Sequence, residues 1–347
     1  MSKNSDSHKD DDLLLTLQEG IPFVSRPMQA IGERFQMSED DVVARIQHFF
    51  KTGKARRFGA IFDSSRLGYK SALCSVLAEP ARLDSLADAL KPYQSITHCY
   101  ARELMPGMAS PGEIVPNLWF TVTARADLFD KEIGLITGSV APLEVAVLPA
   151  VRRFKIQVIL DPRLISAADH GSLHLSHQQN APGKPVASFA ISAKEQEVVR
   201  LLQGNLSLTT DPVKEIAKRT GSDPQEIVDL LLRWHEAGVL RRIALILNHQ
   251  KIGFRANAMC VWNVVESKVE QAGRCLAEVA DVTHCYERIC TRVFPYNLYA
   301  MVHAGDAETI RSLFKELSLK AGLSGGRIMV SAREYKKTSP RFFCEKE

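Results

Sequence analysis

Thr97-His98-Cys99-Tyr100-Ala101-Arg102 returns, one residue changed, as Thr283-His284-Cys285-Tyr286-Glu287-Arg288. The surroundings return in the same order. A helix-ending glycine precedes an arginine pair: Gly53 before Arg56 and Arg57, and Gly238 before Arg241 and Arg242. A second glycine follows (Gly68; Gly253), then an apolar run, the His row, and Asn-Leu-aromatic (Asn117, Leu118, Trp119; Asn297, Leu298, Tyr299). Repetition on this scale marks a duplicated unit. It predicts a homodimer-like object fused into one polypeptide, with a site shared between its halves.

Each copy spells the same elements. In the first, 13–17 is apolar, Met28, Ile31 and Phe35 form a short amphipathic stripe, and Ser38 opens a helix carrying Val42, Val43, Ile46, Phe49 and Phe50 at helical spacing. Ser38 with Asp41 resembles a capping box, and Gly53 is placed to end that helix. In the second, Val213, Ile216 and Ala217 come first. Asp223 then caps a helix with Pro224 at its first position, and Ile227, Leu230, Leu231 and Trp234 form its inward stripe. Three short helices and a basic-then-apolar strand predict a winged helix-turn-helix. After each wing a β-α-β-β-α-β run predicts the ferredoxin-like arrangement: 69–77, 83–90, 95–103, 118–123, 128–136 and 142–156, then 254–264, 268–279, 282–289, 298–304, 307–320 and 327–336.

The expected class is therefore α+β, a tandem duplication of a winged helix-turn-helix plus a ferredoxin-like βαββαβ domain. The expected divisions are a disordered tail (1–11), winged helix-turn-helix 1 (12–66), ferredoxin-like domain 1 (67–164), a linker (165–190), winged helix-turn-helix 2 (191–251) and ferredoxin-like domain 2 (252–347). The linker is rich in Ser, His, Gln, Gly and Pro. Its His170, His174 and His177 could bind metal, but a solvated tether is preferred.

At 347 residues, 45% hydrophobic, the composition is that of a soluble globular protein of about two or three domains. The first dozen residues hold no apolar signal core, and no apolar run approaches the ~20 residues that cross a membrane. A cytoplasmic location with no membrane partner is the expectation. Seven scattered cysteines read as reduced, buried thiols. A net charge of +4 is weak for a nucleic-acid binder of this size. The candidate recognition helices also open on Glu39-Asp40-Asp41 and on Gln225-Glu226. Acidic groups suit a helix N-terminus but repel a phosphate backbone, so DNA is a disfavoured partner.

Strand alternation places His98, Tyr100 and Arg102 on one face, and likewise His284, Tyr286 and Arg288. Cys99 and Cys285 fall on the other face, which the helices should cover; Glu287 fits that covered face poorly. Two such open faces meeting between the halves would enclose one interior space. The histidines read as core packing, as a metal site or as a substrate site. The metal reading is poor, because adjacent strand residues diverge. A substrate site joins a titratable imidazole to a guanidinium fork that grips carboxylates. His249 follows Arg242 by seven residues, where the first copy has Ser64 and Ser65. It is either a solvated loop residue or a group present in one copy alone, and the latter implies a single productive pocket per chain.

The combination of Arg-Arg-Phe-Gly-Ala-Ile at 56–61, His-Cys-Tyr-x-Arg and Asn-Leu-Trp-Phe-Thr at 117–121 resembles the siroheme decarboxylases, a branch of the Lrp/AsnC family. In its fused form the chain is most similar to the two-subunits-in-one enzyme of haem d1 biosynthesis. The second copy departs, with Arg-Arg-Ile-Ala-Leu-Ile at 241–246 and a shorter loop after its His row. The resemblance implies loss of carbon dioxide from the C12 and C18 acetates of siroheme, giving 12,18-didecarboxysiroheme. It implies Arg56, Arg57, Arg102, Arg241, Arg242, Arg288, Tyr100 and Tyr286 as substrate-binding residues. His249 is the first choice of proton donor, with His98 and His284 as second donor or iron-facing group. No added cofactor or protein-held metal is expected, since the iron belongs to the siroheme or related tetrapyrrole. The halves form an intramolecular pseudo-dimer, which leaves room for a further homodimer. The alternatives are a ligand-responsive transcription regulator of the Lrp/AsnC type and a non-catalytic tetrapyrrole carrier.

Overall fold

The computed structural model describes residues 2–156, 158–163 and 189–345, with side chains from residue 9 onward. Residues 165–188 of the expected linker, with its three histidines, lie outside the described residues.

The helical units form for the reasons read from sequence. Ser38 accepts from the Asp41 amide while the Asp41 carboxylate reaches back, closing a capping box at the head of helix Glu39–Lys51. Asp223 and Glu226 do the same for helix Pro224–Glu236. Gly53 and Gly238 follow these helices at φ +72° and +69°, where a side chain would be strained. The expected disordered tail is a correction. Helix Ser2–Glu19 begins within it, because Leu13, Leu14 and Leu17 bury one face and Asp10 and Asp12 pair with Arg45 and Arg163.

Each helical unit supplies one wing strand, and the two strands pair with each other. Strand β1 (Ala55–Phe62) runs antiparallel to β6 (Leu240–Leu247), with Gly59 opposite Ala244. A Cβ on Gly59 would stand 2.1 Å from the Gly204 carbonyl, which explains why the two wings differ there. One core cluster then runs through both helical units, from Met28, Phe49 and Phe58 to Leu231 and Trp234.

The ferredoxin-like units appear in the expected element order. The first holds β2 (Tyr69–Val76), β3 (Ile96–Leu104), β4 (Leu118–Arg125) and β5 (Val145–Ile156). The second holds β7 (Ala256–Trp262), β8 (Val282–Arg288), β9 (Leu298–Ala304) and β10 (Arg327–Lys337). Their relation differs from two separate sheets laid face to face. The long β5 pairs with β8, and β10 pairs with β3, so all eight strands close into one barrel. Closure leaves no sheet edge unpaired. The expected open faces thus become the inner wall of a single barrel.

Alternation sorts the walls. Cys74, Cys99, Leu86 and Ile136 pack outside under the first copy's helices, and Cys260, Cys285, Leu276 and Leu317 under the second's. Trp119, Leu148, Met259, Phe294, Tyr299 and Met329, drawn from both copies, form a separate inner cluster. Glu287, the misfit on the outer face, is Cα partner to Arg152 and ion-paired with it at 3.4 Å.

Candidate active site

The two His rows line opposite walls of the barrel, with β3 and β8 separated by three strands in either direction round the ring. His98 stacks on Tyr100 with ring centroids 6.2 Å apart, and His284 on Tyr286 at the same 6.2 Å. The row arginines follow: the Arg102 guanidinium lies 5.3 Å from the Tyr100 ring, and that of Arg288 4.7 Å from Tyr286. Each arginine then crosses into the other copy. Arg102 donates to the Met329 carbonyl at 3.4 Å, and Arg288 to the Leu148 carbonyl at 2.6 Å. These two side chains therefore stitch the halves together at the apolar inner cluster. Both arginines were expected to bind substrate carboxylates; here one donor of each is engaged by a backbone carbonyl.

Toward the wing ladder the site becomes polar and its two ends differ. At the first, Arg56 faces the barrel and its charge bears on both His98 and His249. Lys337 Nζ stands 3.3 Å from His249 Nδ1. The His249 ring meets His303 edge-on with centroids 5.6 Å apart. Burial first, then neighbouring cations, pushes His98 and His303 down to about 3 and His249 to about 4. All are neutral imidazoles at ordinary pH. Among the described residues, Arg56 has no carboxylate within ion-pair distance.

At the second end the charges are already matched. Asp63, 7% exposed, takes Arg241 at 2.7 Å and Arg153 at 3.0 Å. Burial raises its proton affinity, but the Ser65 hydrogen bond and the two guanidinium groups outweigh this and hold it at about 2. His284 lies beside this cluster and is pushed down to about 4 by burial and by Arg241.

The wing arginines separate by face. Arg56 and Arg241 turn to the barrel, whereas Arg57 donates to the carbonyls of Ala60 and Gln203 at 3.0 and 2.8 Å. Arg242 reaches the Val158 carbonyl at 3.4 Å. Arg57 and Arg242, also expected to bind substrate, here donate to backbone carbonyls on the face opposite Arg56 and Arg241, as alternation along a strand implies. Of the eleven site residues predicted from sequence, the structure gathers His98, His249, His284, Tyr100, Tyr286, Arg56 and Arg241 about one space. It adds His303, Lys337, Asp63 and Arg153, which sequence reading missed. His303 was findable, because it occupies the place of Thr123 in the first copy, just as His249 replaces Ser64. Among the described residues no group of three or more His, Cys, Asp or Glu side chains is set to hold a metal ion. None of the described helices is long and apolar enough to cross a membrane.

Comparison with known proteins defines the class first. The family described as AsnC-like ligand binding domain matches 66–155 and 251–336, and the siroheme decarboxylase NirDL-like HTH domain matches 10–56 and 195–241. The chain is thus a tandem helix-turn-helix and Lrp/AsnC-type sheet protein. It is 31% identical to the siroheme decarboxylase of Hydrogenobacter thermophilus over 96% of this chain and 95% of that protein. It is 39% identical to the siroheme decarboxylase beta subunit of Methanosarcina barkeri over 42% of this chain and 95% of that one. The crystal structure of the siroheme decarboxylase NirDL superposes with a TM-score of 0.70 at 28% identity, covering 97% of this chain and 95% of that chain. The chain belongs to the siroheme decarboxylase family.

Proposed function

We propose that this protein removes carbon dioxide from the C12 and C18 acetates of siroheme, giving 12,18-didecarboxysiroheme on the route to haem d1. The carrying observation is the asymmetric end of the barrel, where Arg56 and Lys337 accompany the buried neutral imidazoles of His98, His249 and His303. A polycarboxylate matches such a site, since among the described residues Arg56 has no carboxylate partner and Lys337 has Glu334 at 3.7 Å, so an incoming carboxylate supplies the anion that Arg56 lacks. A relative 27% identical was solved in co-complex with an iron-uroporphyrin III analogue, itself a ligand of this chemistry.

In the reaction the bond from the methylene carbon to the carboxylate breaks and carbon dioxide leaves. The electron pair stays on the methylene carbon, conjugated with the macrocycle, and a proton completes the methyl group. The macrocycle acts as the electron sink, so no added cofactor is required. Arg56 holds a carboxylate that is retained, Arg241 shares its guanidinium between Asp63 and a second one, and Tyr100 and Tyr286 flank the ring. His249 delivers the proton, with His98 or His284 as the second donor. The neutral state of these imidazoles before binding suits that role. A carboxylate arriving beside an imidazole raises its pKa, so substrate loads its own acid.

A DNA-reading role is less well supported. Helix Glu39–Lys51 carries Glu39, Asp40 and Asp41 in its first turn, and Glu39 is ion-paired with Arg26. The deciding experiment incubates the anaerobically purified protein with siroheme and weighs the product by mass spectrometry. Loss of two carbon dioxide units supports the reading, and an unchanged mass refutes it.

A further inference from the structure

A threonine precedes each histidine row, and the strand is irregular at both. The register slips between Ile96 and His98, and again between Val282 and His284. Such an irregularity breaks alternation and re-aims side chains, so each threonine hydroxyl comes beside the imidazole that follows it. Thr97 Oγ1 lies 3.0 Å from His98 Nδ1, and Thr283 Oγ1 lies 3.2 Å from His284 Nδ1. Thr283 has a further neighbour, His303 Nδ1 on β9, also at 3.2 Å.

A hydroxyl has one proton to give and two lone pairs to receive. The Thr283 proton has a fixed acceptor in the Met301 carbonyl at 3.3 Å, which can only accept. Thr97 faces the Thr121 carbonyl in the same way at 3.4 Å. With its proton engaged, Thr283 can only receive from the two rings, so both must carry hydrogen on Nδ1. Thr283 is fully buried, and no competing solvent reaches it.

We propose that Thr283 is a positioning residue that holds His284 and His303 as a matched pair of Nδ1–H tautomers. The Nε2 lone pair of each ring is then the atom that takes up, and later returns, a proton. The inference rests on the proton-donor reading of this site and extends it to His303, which the second copy alone possesses. The first copy has Thr123 in its place, engaged with Ser71 at 2.8 Å, so Thr97 orients a single ring. His249 is set the opposite way. The Lys337 ammonium can only donate, so His249 Nδ1 accepts and its Nε2 carries the hydrogen.

The test uses the full chain labelled with ¹⁵N-histidine, its ring signals assigned with His284→Gln and His303→Gln. Both rings are expected in the Nδ1–H form. Thr283→Val, which keeps the shape and removes the hydroxyl, should move both toward Nε2–H and lower kcat for siroheme about tenfold with KM nearly unchanged. Thr283→Ser should restore tautomers and rate. Unchanged tautomers in Thr283→Val, an unchanged kcat, or a Ser variant no better than the Val variant overturns the inference. A wild-type protein that leaves siroheme intact would instead refute the proposed reaction, with the tautomers still deciding the role of Thr283.

Discussion

Lys337 and His249 meet at 3.3 Å although 88 positions separate them in sequence, because β10 pairs with the first copy's His strand and ends beneath the second copy's wing turn. The contact has no counterpart at the other end, where Ile156 stands opposite His284 as Lys337 stands opposite His98. The Lys337 charge lowers the proton affinity of His249, behind burial. Lys337→Met should therefore raise the His249 pKa and carry the alkaline limb of the kcat profile to higher pH. A pH profile of turnover checks this, and a limb that stays or moves down counts against His249 as the acid.

Substrate binding should take up protons. His98 and His303 at about 3, and His249 and His284 at about 4, are neutral before binding, and incoming carboxylates raise all four. Titration calorimetry with iron uroporphyrin near neutral pH, in buffers of differing ionisation enthalpy, should show net proton uptake. Proton release or none would contradict the loading step.

The same depressed values fix the sign of the acid response. An unfolded histidine titrates near about 6.5, so between that pH and about 4 the unfolded chain binds more protons than the folded one. Stability is complete above the unfolded value and falls as the pH drops through this window. Asp63, held at about 2, loses its contribution only at more acid pH. Urea midpoints should fall between pH about 7.5 and about 5, with a shallower fall in His303→Gln.

Asp63 acts as an internal anion that satisfies Arg241 and Arg153. Asp63→Asn should cost about 2 kcal/mol, below the ~3–5 kcal/mol of a fully buried pair because both arginines are partly exposed. The freed guanidinium groups should bind iron uroporphyrin more tightly. Thermal unfolding and an absorbance titration test the two arms; weaker binding would show that Asp63 only shapes the second end.

The arginine pair offers a contrast within adjacent residues. Arg56→Ala should weaken tetrapyrrole binding and leave the melting temperature nearly unchanged. Arg57→Ala strands the Gln203 and Ala60 carbonyls and should destabilise by about 1–3 kcal/mol. Equal effects of both on binding would contradict the assignment of faces.

Much of the fold was legible because its signals are local. Ser38 with Asp41, Asp223 with Glu226, and Gly53 with Gly238 each mark a helix end within a few residues. The barrel was not, because β5 to β8 and β10 to β3 pair across copies, and no local pattern encodes which edges join. The commitment of Arg102 and Arg288 to backbone follows from that closure and was equally hidden. His249 was legible by comparing the copies. His303 answers to the same comparison, but it sits amid apolar strand residues that draw no notice. Lys337 and Asp63 gain their meaning only from the partners the fold brings to them.

His249, with His98 or His284 as the second donor, is proposed to supply protons to a tetrapyrrole held in the barrel. The most direct test of this role is anaerobic turnover of siroheme by His98→Ala and His249→Ala, with iron uroporphyrin affinity measured on the same samples. Turnover at least ~100-fold lower with nearly unchanged affinity is the predicted result. Full turnover by both variants would contradict it.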